Sequence, residues 1–328
     1  MMNSHELVTR AINFTGPDRV PLLFRCDPDR SDIVCVGFST PTGWTAADQD
    51  TDEWGRVWAN IIGTGMGQVV KHPLEHASDL GGYPFPDPHA PGRFDAVKGG
   101  VRLFDGKYIT GNMGLSGFNL MMSLRGFENI MMDVALSTAF LTEIMDSVWD
   151  FEAGLIEEYA ACGVDGVWFF DDWGTENSLF IRPAAWREIF KPRYREQFAM
   201  AHDRGMHVFF HSCGYVWDII PDLIELGVDV LNLEQPNIFE AEGISGIDRM
   251  ASSFGGKVCF CTNPDGQRVL AHASPSEVED EVKHVIAAFS GFGGGLIALA
   301  DCGNDHNILP PANIASMESA FTRFGRGL

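Results

Sequence analysis

Apolar residues along this chain fall into short continuous runs set between longer amphipathic stretches. Val167-Trp168-Phe169-Phe170 is typical, with no polar residue breaking the run. A strand buried on both faces has this pattern, whereas a strand with one wet face alternates. The runs predict strands near 165–170, 206–210, 228–233, 257–261 and 295–300. Between them lie helical patterns near 183–204, 215–226, 275–290 and 311–323. Upstream, Leu7, Val8, Ala11 and Ile12 recur at helical spacing over roughly 4–13, and 126–161 reads as two helices with a break or cap at Ser137-Thr138. Further runs end near 25, 71 and 112, while 37–60 and 78–95 read as irregular. The eight runs, alternating with helices, predict a single (β/α)8 TIM barrel with N-terminal elaborations over residues 1–328. An open doubly wound sheet is the alternative, but no G-x-G-x-x-G follows the first strand.

Composition narrows the partners. The chain has 328 residues, 45% of them hydrophobic, enough for a large core and too many for disorder. Its 45 acidic and 23 basic side chains give a formal net charge of −22, which argues against nucleic acid or an anionic membrane surface. No apolar run approaches the ~18 residues of a membrane span, and the start, MMNSHELVTR, has neither a basic nor an apolar signal region. Seven cysteines in a chain of this length suit reduced thiols and a cytoplasmic location better than a disulfide framework.

Each strand run stops at a chemically capable residue: Arg25-Cys26-Asp27, His72, Asn112, Asp171-Asp172, His211-Ser212-Cys213, Glu234-Gln235, Cys261-Thr262-Asn263 and Asp301-Cys302. In a parallel barrel these ends open onto one face. On extended backbone His211 and Cys213 share a side, so both can grip one cation, with Ser212 turned away. Cys302 is the best third ligand. Imidazole with two thiolates suits Zn2+ and leaves one position open for substrate. Cys259 and Cys261 form a competing pair, although Cys259 lies mid-strand and suits the core, while Cys35 and Cys162 read as filler. Of Asp171 and Asp172, neighbours on a strand, only one is expected to enter the pocket. Arg25 and Arg30 are candidates for an anionic group, Arg30 being the better fit to a rim salt bridge. Trp173, and the aromatics near Trp44 and Trp54, suit either an aromatic substrate or the packing of core and lid.

Several segments carry a resemblance. Asp18-Arg19-Val20-Pro21, Asp52-Glu53-Trp54-Gly55, Asp172-Trp173-Gly174-Thr175, His211-Ser212-Cys213-Gly214 and Asp301-Cys302-Gly303 resemble blocks of the uroporphyrinogen decarboxylase superfamily, in its corrinoid-linked methyltransferase branch. The resemblance covers nearly the whole chain. It implies the same barrel, zinc held by His211, Cys213 and Cys302, and a carboxylate placed at Glu234, with Gln235 the other candidate to face the pocket. It further implies methyl transfer between an O-, N- or S-methyl compound, or a thiol acceptor, and a corrinoid. No D-x-H-x-x-G is present, so the corrinoid is expected on a separate protein. A homodimer is expected by analogy. Asp172 is then the expected catalytic carboxylate, and Arg25, Asn112, Asp171, Trp173, Gln235 and Asn263 the expected substrate contacts. The alternative is a metal-independent decarboxylase or lyase of the same superfamily. The porphyrin decarboxylases have an arginine-rich loop where this chain reads Arg25-Cys26-Asp27-Pro28-Asp29-Arg30.

Overall fold

The computed structural model describes residues 2–59, 67–301 and 309–326. Eight parallel strands form one sheet: β1 (Leu22–Leu23), β2 (Ile33–Gly37), β5 (Tyr108–Leu115), β6 (Gly166–Phe170), β7 (His207–His211), β8 (Val230–Asn232), β9 (Cys259–Thr262) and β10 (Leu296–Leu299). They run β1-β10-β9-β8-β7-β6-β5-β2 around a barrel. Two remaining strands, β3 (Val57–Ala59) and β4 (Gln68–Lys71), pair antiparallel outside it. Among the described residues no helix is long and apolar enough to cross a membrane.

Strand parity divides the core in two. Leu23, Ile33, Tyr108, Trp168, Phe209, Val230, Cys259, Cys261, Ile297 and Leu299 point inward and form their own cluster. Their chain neighbours, such as Val34, Ile109, Val167, Val208, Leu231 and Phe260, point outward and pack under the helices. Val8 and Ile12 of the first helix, Ser4–Ile12, join the inner cluster. That helix is therefore tied to the barrel interior, and the Ala11 carbonyl accepts the Gly295 N–H at 2.8 Å.

The seam between β1 and β2 carries no strand ladder. Asp32 bridges it instead. Its backbone N–H donates to the Leu22 carbonyl at 2.7 Å, and its carboxylate accepts from the Leu22 N–H at 2.8 Å. Arg19, from the Asp18-Arg19-Val20-Pro21 segment, clamps the same carboxylate with two bonds of 2.7 Å.

Eight barrel strands were expected and eight are present, but one member differs. The run ending at Lys71 is the outer hairpin, exposed along most of β4, so His72 is not at the barrel mouth and bonds the Ser123 carbonyl at 2.8 Å. The true second strand is Ile33–Gly37, whose β-branched residues pair in register with Tyr108–Asn112. Helices Asp95–Leu103 and Gly117–Arg125 had no counterpart in the sequence reading. The pattern at 183–204 is two helices, Pro183–Ile189 and Lys191–Asp203. Pro192 has no N–H to continue the first into the second. The break at Ser137-Thr138 is present, with Thr138 capping the Leu141 N–H.

Candidate metal centre

The site begins at the end of β7. His207, Phe209 and His211 alternate inward, so the His211 ring stands over the barrel lumen. Cys213 follows on the same side, and its Sγ lies 3.4 Å from His211 Nε2. Gly214 then turns the chain away with a positive φ of 81°. A Cβ there would come within 2.1 Å of the Gly174 carbonyl, so only glycine lets the His-Ser-Cys loop lie against the Asp172-Trp173-Gly174 loop.

That approach brings Asp172 to the pair. One Asp172 oxygen accepts the Cys213 N–H at 2.6 Å and lies 3.6 Å from His211 Nε2. On the other edge of the ring, His211 Nδ1 is 2.8 Å from Asn232 Oδ1. The Asn232 Nδ2 donates to the Cys261 carbonyl at 3.0 Å, which fixes which end of the amide faces the histidine. Nδ1 therefore donates to that oxygen, and Nε2, facing Cys213 and Asp172, is the ring atom available to a metal.

Asp172, His211 and Cys213 each offer one ligand atom, all within 4.8 Å of one another. Burial, Asp172 and Glu234 push the Cys213 thiol up, and Arg25 only partly opposes them. Metal-free, the cysteine is thus held as a thiol beside two carboxylates. A divalent cation reverses that preference, because the thiolate becomes its ligand. One nitrogen, one sulfur and one oxygen, with the ring oriented by an outer amide, fit zinc. Cys302 lies outside the described residues.

Two cavities meet at Arg25. One, about 510 Å3, is lined by Cys213, Glu234, Gln235 and Asn263 among others. The second, about 460 Å3, lies in the lumen and includes Asn112 and Asn232. Glu234 accepts from Arg25 at 3.0 and 3.3 Å, and its nearer oxygen is 3.8 Å from His211 Nδ1. Arg25 also reaches Asp301 at 3.4 Å. Burial works against its charge, but Glu234 and Asp301 outweigh that and raise its pKa. Gln235 accepts the Gly214 N–H at 3.2 Å. Asn112 accepts from Gly114 at 2.7 Å. Asn263 is buried, and its Oδ1 has no partner among the described residues.

Two expected substrate contacts are placed elsewhere. Asp171 points outward, fully buried, and accepts the Phe118 and Asn119 N–H groups at 3.1 and 2.8 Å and the Tyr194 hydroxyl. It anchors the start of helix Gly117–Arg125. Trp173 is also fully buried, stacked 4.7 Å from Phe118, and its Nε1 donates to Tyr194. Trp54 is a core residue packed on Phe151. Arg30 pairs with Glu318 at the rim, as expected. Cys259 is buried, as expected, but Cys35 is exposed on the lumen cavity rather than filler. Asn232 escaped the sequence reading. Stepping back by two from Glu234 along β8 would have put it on the same inward face.

A parallel barrel with a His-Cys-Asp cluster at its C-terminal mouth is the architecture of an enzyme. The model of the uroporphyrinogen decarboxylase (URO-D) family matches residues 61–324, and the chain belongs to that family. A uroporphyrinogen decarboxylase from Methylococcus capsulatus is 24% identical over 280 residues, which cover 79% of this chain and 73% of the relative. A methyltransferase from Methanosarcina mazei superposes with a TM-score of 0.72 at 14% identity, covering 99% of both chains. That likeness shows a shared fold.

Proposed function

We propose that this protein is a zinc-dependent methyltransferase that exchanges a methyl group between a small molecule and a corrinoid on a separate protein. The observation that carries the reading is the convergence of Asp172, His211 and Cys213 within 4.8 Å at the barrel mouth. The resemblance of the His211-Ser212-Cys213-Gly214 block supports it, as does the fold shared with a methyltransferase. Cys302 would be the further thiolate, and Glu234, held here by Arg25, the carboxylate that would approach the metal when substrate is absent.

Bound zinc would supply Lewis acidity toward the heteroatom that bears the methyl group, or hold an acceptor thiol as thiolate. The chain's own residues do the rest. Asn232 holds the His211 ring by its Nδ1–H. Asp172 ties the Cys213 backbone in place. Asn112, Gln235 and Asn263 would offer polar contacts from the walls, the buried Asn263 Oδ1 having no partner among the described residues. Asp171 and Trp173 act through the scaffold.

Porphyrinogen decarboxylation fits this mouth poorly. A substrate with several carboxylates needs several cations, yet Arg25 is the one cationic side chain lining the two cavities among the described residues. It is already shared by Glu234 and Asp301.

The test is elemental analysis of untagged protein beside Cys213→Ser, followed by a screen of methyl donors with free cob(I)alamin. About one zinc per chain, lost in the variant together with methyl transfer, is the expected result. Metal-free protein that still turns over substrate would overturn the reading.

A further inference from the structure

The barrel wall is thin between β1 and β2. Nine residues, 24–32, join these two strands, and none of them is helical. A crossover between parallel strands usually takes a dozen or more residues, most often a helix that covers the wall. Here the chain climbs β1, turns at Arg25, and comes back to the foot of β2 as an irregular strap. The foot of the seam is closed. Beside the Asp32 bridge, the Ser31 hydroxyl accepts the Phe24 N–H at 3.0 Å and donates to the Ile33 carbonyl at 2.6 Å. Above Ile33, the edge of β2 that faces β1 has no strand partner among the described residues.

The lumen cavity passes through this gap. Ile33 and Trp168 line it from the inner layer of the core, whereas Val34, Val36 and Phe104 line it from the outer layer. A space that touches both layers crosses the wall. Cys35 shows the same thing. It is an inward residue in the middle of a barrel strand, yet it is exposed, while its register partner Thr110 is fully buried. The strap adds Pro28 to the same cavity. Its ties are light. Arg30 pairs with Glu318 at 3.2 Å and lies 4.2 Å over the Phe24 ring, and Lys107 Nζ donates to the Asp29 carbonyl at 3.0 Å. Exposed ion pairs of this kind contribute little to stability, so the strap is free to lift without unfolding the barrel.

We propose that the seam between β1 and β2 is a side portal, strapped by residues 27–30, through which small neutral molecules pass between solvent and the lumen. Its walls are apolar at Val34, Val36 and Phe104, and Asp27 and Asp29 on the strap repel anions. The inference rests on the methyl-transfer reading for one point only, that a corrinoid protein covers the C-terminal mouth during turnover. A second opening then lets the small molecule exchange without undocking the larger partner, and product release is the slow step in many enzymes. The portal itself requires neither metal nor corrinoid.

The experiment follows alkylation of Cys35 by iodoacetamide with peptide mass spectrometry, in the full chain. Enclosure pushes the Cys35 thiol up to about 11, so all rates are compared at one pH. Cys162, partly exposed at the end of helix Ala139–Cys162, is the reference. Three variants separate the two routes. Pro28→Trp plugs the strap side of the cavity, Arg30→Ala frees the strap, and Gln267→Trp narrows the mouth, where Gln267 lines the other cavity. Pro28→Trp is expected to slow Cys35 alkylation severalfold and Arg30→Ala to speed it severalfold. Gln267→Trp should leave it unchanged, and Cys162 should react alike in all four proteins. If Pro28→Trp does not fold, Arg30→Ala and Gln267→Trp decide the matter. Slowing by Gln267→Trp, or a Cys35 rate indifferent to the strap variants, overturns the proposal. Strap-dependent alkylation in a protein that holds no zinc would sustain this inference and sink the methyl-transfer reading. Zinc-dependent methyl transfer with Cys35 reached through the mouth would do the reverse.

Discussion

The outer amide of the metal centre can be tested directly. Asn232→Leu keeps the volume of the side chain but removes the acceptor for His211 Nδ1 and denies the space to water. Two losses follow. The 2.8 Å hydrogen bond that orients the ring disappears, which is worth about 1 kcal/mol. The bias that leaves the Nε2 lone pair facing Cys213 and Asp172 also disappears. Outer partners of metal-bound histidines are worth roughly 10–100-fold in affinity, so we expect zinc binding about 30-fold weaker, near 2 kcal/mol. The fold should survive. The Cys261 carbonyl, which Asn232 also bonds, still accepts the Leu233 N–H at 3.2 Å, so the stability loss should stay near 1–2 kcal/mol. Competition against a chromophoric chelator at fixed pH measures the affinity, and a thermal melt of the metal-free protein measures the fold. Asn232→Asp restores an acceptor and should recover most of the affinity. If Asn232→Leu binds zinc within twofold of wild type, the amide does not set the ring, and the tautomer argument falls.

Three further predictions concern the scaffold. Glu152 is fully buried, and burial lifts its carboxyl from 4.5 to about 7, against hydrogen bonds from Gln197 and the Gly117 N–H. A pKa raised on folding favours the native state at low pH, and that contribution is lost as pH rises from 4.5 through about 7. The difference is about 3 kcal/mol, so denaturant unfolding across that range should show a fall in wild type that Glu152→Gln lacks. Asp32→Ala opens the seam between β1 and β2 and leaves Arg19 and the Leu22 N–H without their carboxylate. It should cost about 3 kcal/mol in urea unfolding, with Asp32→Asn losing less. Asp171→Ala strips the buried acceptor from Phe118, Asn119 and Tyr194. It should lower stability by about 4 kcal/mol while metal-free protein that remains folded still takes up zinc. Loss of zinc affinity from folded Asp171→Ala would return Asp171 to the site.

Much of the site was legible because strand parity is rigid. His211 and Cys213 share a face by their spacing alone, and the same rule requires Asp171 and Asp172 to part. Parity does not say which aspartate turns inward, because that depends on the register of β6 against β7. Phe170 pairs with His211, Phe170 points into the lumen, and Asp172 follows it. The strand at Ile33–Gly37 was passed over because a five-residue β-branched run next to a polar, glycine-rich stretch has little local signal. Its pairing with Tyr108–Asn112 comes from residues some seventy positions away.

By itself, then, the chain determined its alternation of buried strands and helices, seven of the eight barrel strands, and the chemistry at most of the strand ends. These are local properties, written in apolar runs and side-chain spacing. The tertiary structure alone decided which run is the second strand. It also brought Asp172 to Cys213 across 41 positions and gave His211 its amide partner 21 residues on. The reason is physical. Barrel closure sets the stagger between strands, and stagger is fixed by the packing of the inner layer against all eight neighbours at once.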